Sequence, residues 1–129
     1  MARLPQEGLT ARESQIINVL WKCGEATVEE IRAQLSEDLA GSTLRTLLNI
    51  MQEKGYVAFY KKGKAKVFRP LAAREEVQTS ALRTLKQRLF QGSAPQLLAR
   101  LVENEEISLE ELDALRQKVK DQQTEGGQP

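Results

Sequence analysis

The chain contains no histidine and only one cysteine, Cys23. The first absence removes the commonest general base and the commonest metal ligand. The second excludes an intrachain disulfide and any cysteine-rich metal cluster, and makes the cytoplasm the natural compartment. No apolar run approaches the roughly 18 residues that a membrane span needs, and the first ten residues lack the apolar segment of a signal peptide. There is no glycine-rich phosphate loop and no paired nucleophile and base. The acidic pairs Glu29-Glu30 and Glu110-Glu111 fall at helix starts, where the positive end of the helix dipole already explains them. Neither catalysis nor a cofactor or metal is expected, and no membrane partner.

At 129 residues the chain is long enough for one domain or two small ones, and two small cores call for oligomerisation. Its 19 basic and 18 acidic residues nearly cancel, but they are unevenly placed. Residues 1–70 hold 11 Lys/Arg against 8 Asp/Glu, a net of +3, whereas residues 71–129 hold 8 against 10, a net of −2. A basic patch, not a basic protein, is what nucleic-acid binding requires.

Residues 1–8 read as a flexible arm. Thr10 and Glu13 then form a capping box, followed by Ile16, Ile17, Leu20 and Trp21 at helical spacing until Gly24. A second box, Thr27 with Glu30, opens a helix carrying Val28, Ile31 and Leu35. A third helix is expected from Ser42 or Thr43, with Leu44, Leu47, Leu48 and Met51 apolar and Gly55 closing it. Residues 57–60 and 65–68 are β-prone and flank Lys61-Lys62-Gly63-Lys64, a hairpin signal with Gly63 supplying the positive φ. Trp21, Phe59, Tyr60 and Phe68 are expected in the core. Three further helices follow: residues 74–90, a run opened by Ser93 and Pro95, and a run opened by the box Ser108 with Glu111. Residues 122–129 contain no large apolar residue and are expected to be disordered.

The order helix–helix–helix–strand–strand is that of a winged helix-turn-helix, whose third helix can enter a major groove. The fold class expected is therefore mainly α with a small β-hairpin: a winged-helix DNA-binding domain over residues 9–71 and a three-helix dimerisation domain over residues 72–121. Opposite its apolar face the third helix offers Ser42, Thr43, Arg45, Thr46 and Asn49. Hydroxyls suit phosphate, Arg45 suits a guanine edge, and Asn49 suits adenine. The hairpin adds Lys61, Lys62, Lys64 and Lys66, with no acidic residue between Glu53 and Glu75. Double-stranded DNA is the expected partner. A winged-helix adaptor that docks on protein is the alternative, and the lysines disfavour it. The later helices are too slight to enclose a core alone. Pairing with a second copy through Leu82, Leu85, Leu89, Leu97, Leu101, Leu112 and Leu115 is the economical solution, and it implies a pseudo-palindromic operator.

Leu9 to Glu13, Val19 to Trp21, Thr43 to Leu48, Glu53 to Val57 and the lysine hairpin together resemble the penicillinase-repressor (BlaI/MecI-type) family. The resemblance continues through Arg69 to Leu71, Arg74 to Glu76, Leu97-Leu98, Glu103 to Ser108 and Glu110 to Leu112. It implies a bacterial dimeric repressor, with Thr43, Arg45 and Thr46 on the recognition helix and the hairpin lysines on the wing. Where the family often carries a basic residue near the end of that helix, this chain has Ile50. In the beta-lactam branch a sensor-linked protease relieves repression within the penultimate helix. By position that bond lies between Arg100 and Leu101, where the branch has Asn-Phe. The copper-responsive branch uses a C-terminal cysteine motif that this chain lacks.

Overall fold

The computed structural model describes residues 8–126, with side chains to residue 123. Residues 1–7, most of the expected arm, lie outside that range. Nine elements follow in order: α1 (Ala11–Cys23), β1 (Ala26–Thr27), α2 (Val28–Gln34), α3 (Gly41–Lys54), β2 (Val57–Lys62), β3 (Ala65–Pro70), α4 (Arg74–Leu89), α5 (Ala94–Glu103) and α6 (Leu109–Gly126).

Local chemistry marks the start of three of the helices. At α1 the Glu13 N–H donates to Thr10 Oγ1 at 3.2 Å while the Thr10 N–H donates to Glu13 Oε1 at 2.8 Å. Thr27 and Glu30 repeat the exchange at α2, and Ser108 and Glu111 at α6. Each box satisfies two N–H groups that a helix start leaves without partners. Accepting the Ser108 N–H, together with the Ser108 hydroxyl contact, holds the Glu111 carboxyl below its ordinary pKa. The third helix departs from expectation: it starts at Gly41 on an Ala40 cap with no side-chain hydrogen bond. Ser42 and Thr43 therefore lie inside its first turn. It ends on Gly55 in the left-handed region, φ +91°, a conformation glycine adopts without steric cost.

The sheet has three strands in the order β1-β3-β2, all antiparallel. β1 was not expected, because Ala26-Thr27 reads as nothing more than the approach to a helix. It pairs Ala26 with Phe68 and Thr27 with Val67, so Thr27 closes a sheet edge and caps α2 together. The turn between β2 and β3 is two residues long, with φ +66° at Gly63.

The core lies between α1, α2, α3 and the sheet. Ile16, Leu20, Ile31, Leu44, Leu48 and Met51 are wholly inaccessible to solvent. Each such side chain contributes about 1.5–3 kcal/mol on burial. Phe59 and Phe68 meet at 5.6 Å between ring centroids. Trp21 donates its indole N–H to the Ala72 carbonyl at 3.0 Å. Tyr60 departs from expectation and is exposed. It pairs with Val67, on the opposite sheet face from Phe59 and Phe68, and its hydroxyl donates to Glu25 Oε2 at 2.6 Å. That bond, ahead of partial burial, raises the phenol pKa above its ordinary value.

The chain divides into two compact units, one ending at Ala81 and one beginning at Leu82. The first reaches past Leu71 because Ala72 is buried and Val77 packs on its core. In the second unit no described residue is buried. Leu82, Leu85, Leu89, Leu98, Leu101, Leu109, Leu115 and Val119 are all exposed, and α5 and α6 scarcely pack on one another. α6 runs on through Gly126, correcting the expectation of a disordered tail from Gln122. Lys118, Lys120, Gln122 and Gln123 are good helix formers, and Gln117 bonds Asp121 one turn on. Residues 127–129 lie outside the described range.

Candidate nucleic-acid interface

α3 buries Leu44, Leu48 and Met51 and leaves Ser42, Thr43, Arg45, Thr46 and Asn49 exposed. The 3.6-residue period separates the two sets. Arg45 and Asn49 are one turn apart, so they stand together on one side of the helix. A Cβ added at Gly41 would meet Arg45 Nη1 at 3.5 Å, so the guanidinium lies back along the start of the helix. The Thr46 hydroxyl donates to the Ser42 carbonyl at 3.0 Å, which leaves its lone pairs as the outward-facing function. Ile50 is 37% exposed and does not extend the core.

The hairpin sorts its lysines by strand alternation. Lys61 pairs directly with Lys66, on the sheet face of Phe59 and Phe68, while Lys62 pairs with Ala65 on the face of Tyr60. Like charges placed opposite each other in a sheet destabilise it. Lys66 recovers part of that cost by setting its ammonium 4.4 Å from the centroid of the Phe59 ring.

These two elements meet. A cleft of about 400 Å³ is lined by Arg45 and Asn49 from α3, by Lys64, Ala65, Lys66 and Phe68 from the wing, and by Thr27, Val28 and Glu29 from the start of α2. Three of the cations read from the sequence thus share one concavity with the one amide. Lys61 and Lys62 do not line it. The α2 contribution was invisible in the sequence, since only the tertiary fold brings Thr27 to Glu29 beside the wing. Among the described residues no group of histidine, cysteine or carboxylate side chains is arranged to hold a metal ion. No described helix is long and apolar enough to cross a membrane.

One buried ion pair fixes the pitch of α3 against α1. Lys54, in the last turn of α3, places Nζ 2.8 Å from Glu13 Oε1 and also donates to the Gly8 carbonyl at 3.2 Å. Burial raises the Glu13 pKa, but the Lys54 contact and the Thr10 hydrogen bonds outweigh it, and the net shift is downward.

Comparison with known proteins bears on the family and the fold. A model of the penicillinase repressor family matches residues 9–121. The chain is 23% identical to the methicillin resistance regulatory protein MecI of Staphylococcus aureus over 110 residues, covering 84% of this chain and 89% of that one. It is 24% identical to the penicillinase repressor of Bacillus licheniformis over 119 residues, 91% of each chain. The solved DNA-binding domain of the repressor BlaI superposes with a TM-score of 0.50 at 24% identity, over 59% of this chain and 93% of that one. The likeness to that structure concerns the fold, a winged helix-turn-helix. A match over nearly the whole chain decides the matter: this protein belongs to the penicillinase repressor family of winged-helix DNA-binding transcriptional regulators.

Proposed function

We propose that the chain represses transcription as a homodimer that reads a pseudo-palindromic operator, α3 entering the major groove and the wing following the adjacent backbone. The observation that carries this reading is the cleft in which Arg45 and Asn49 of α3 stand beside Lys64 and Lys66 of the wing. Arg45 reads a guanine edge and Asn49 an adenine edge, while Ser42, Thr43 and the wing lysines take phosphates.

Dimerisation is supported by the second unit, most of whose large apolar side chains are exposed and whose described residues include none that is buried. A second copy supplies the missing half of that core through Leu82, Leu85, Leu89, Leu97, Leu101, Leu112 and Leu115. Two heads related by a two-fold axis then require half-sites related in the same way. Proteolysis between Arg100 and Leu101, by a protease linked to a sensor, is the proposed route of release. That bond lies inside α5, with Arg100 held to Glu103 at 3.3 Å, so the helix must open before it is cut.

A quantitative gel shift with DNA from upstream of the protein's own gene, against shuffled DNA of equal length, tests the reading. Preferential binding by about three decades or more is expected of a specific operator complex. Equal affinity for both DNAs contradicts it.

A further inference from the structure

We propose that the basic end of α4 docks on the acidic turn between α5 and α6 of a second copy, so that Arg83, Lys86 and Arg88 face the partner's Glu105, Glu106 and Glu110. This rests on the homodimer reading above and adds which segments meet and what sets their register.

Two segments of the second unit carry charge of a single sign. No acidic residue lies between Glu76 and Glu103, and three cations fall in the last two turns of α4. The turn after α5 is the reverse, five glutamates within residues 103–111. Two of the five are already engaged: Glu103 with Arg100, and Glu111 in the Ser108 capping box. The remaining three, and Arg83, Lys86 and Arg88 of α4, make no ion pair with any described residue.

Both sets border exposed apolar surface. Leu82, Leu85 and Leu89 follow a heptad seam, and Lys86 and Arg88 fall at its two flanking positions, which in paired helices choose partner and register. The two most exposed large apolar residues are Leu89, at 72%, and Leu109, at 71%. One adjoins Arg88 and the other Glu110. Two greasy steps, each edged with opposite charge, are complementary to one another. In a two-fold dimer the contact forms twice, because whatever one chain offers its partner is offered back.

The test uses two full-length variants. The acidic variant carries Arg83→Glu, Lys86→Glu and Arg88→Glu; the basic variant carries Glu105→Lys, Glu106→Lys and Glu110→Lys. Sedimentation equilibrium should show each variant dimerising at least about tenfold more weakly than the unmodified chain, since like charges then face each other. An equimolar mixture should recover dimers of near-original affinity, because both contacts become complementary in the mixed pair. The unmodified dimer should also weaken as salt rises, and this arm needs no variant to fold. A salt-insensitive unmodified dimer, variants that dimerise normally, or a mixture that fails to recover would each overturn the proposal. So would a variant that loses DNA affinity with its dimerisation intact, which would assign the cations to the phosphate backbone. An unmodified chain that sediments as a monomer would instead overturn the homodimer reading beneath it.

Discussion

Lys54 Nζ lies 2.8 Å from Glu13 Oε1, and the two side chains are only 14% and 2% exposed. The same Oε1 accepts the Thr10 N–H that begins α1. One carboxylate therefore caps the first helix and anchors the last turn of the third, setting the angle at which α3 is presented.

Glu13→Gln keeps the shape and removes the charge. It is expected to cost about 1.5–3 kcal/mol of unfolding free energy at neutral pH, the range for a charged hydrogen bond left half-made. Because the folded pKa of Glu13 lies below its ordinary 4.5, its ionised form stabilises the fold above that pH. The contribution fades as pH falls through the lowered value. Urea unfolding of both proteins at neutral pH and in acid should show the difference shrinking on acidification. A gap unchanged down to strongly acid pH would mean that shape, not charge, matters there.

Arg45→Ala should reduce operator affinity by about 1–3 kcal/mol for each half-site, the value of a bidentate guanine contact, with little change on random DNA. Fluorescence anisotropy on both DNAs measures it. Equal losses would place Arg45 on a phosphate.

The wing lysines should act without regard to sequence. Lys64→Ala with Lys66→Ala, both lining the cleft, is expected to weaken operator and random DNA alike and to flatten the log–log salt slope by about one to two units per head. Lys62→Ala, on the opposite sheet face, should alter the slope much less. An equal effect from Lys62 alone would show that the wing meets DNA by its other face.

Much of this was legible in the sequence, and the limits have physical causes. The three capping boxes are local, three residues apart, and all formed. Helical periodicity separated Leu44, Leu48 and Met51 from Arg45, Thr46 and Asn49. The features that local sequence does not carry depend on distant partners. β1 is two residues long and exists only because β3 lies beside it. Glu13 and Lys54 are 41 positions apart. Tyr60 looked like core because a β-prone run of Val57, Ala58, Phe59 and Tyr60 hides which alternate residues turn outward. For the interface, residue types and exposure were readable. Which lysines border α3 depends on how the hairpin lies against that helix, since Lys61 and Lys66 share a sheet face and only Lys66 lines the cleft.

A chain ending at Arg100 lacks Leu101, Val102 and all of α6, but keeps the whole buried core of the first unit. It should retain the cooperative unfolding of that unit, sediment as a monomer, and hold the operator no better than random DNA, since the second head no longer acts at high effective concentration. A truncated chain that stays dimeric would place the interface elsewhere.

On the proposed reading, two copies hold one two-fold site through α3. Hydroxyl-radical footprinting of the full-length protein on DNA upstream of its own gene tests it most directly. Two protected patches related by two-fold symmetry are expected, with half-site centres about 34–36 Å apart or a multiple of that spacing. Both patches should vanish together in Arg45→Ala at concentrations where the unmodified protein protects fully. A single asymmetric patch, or protection that survives Arg45→Ala unchanged, would contradict it.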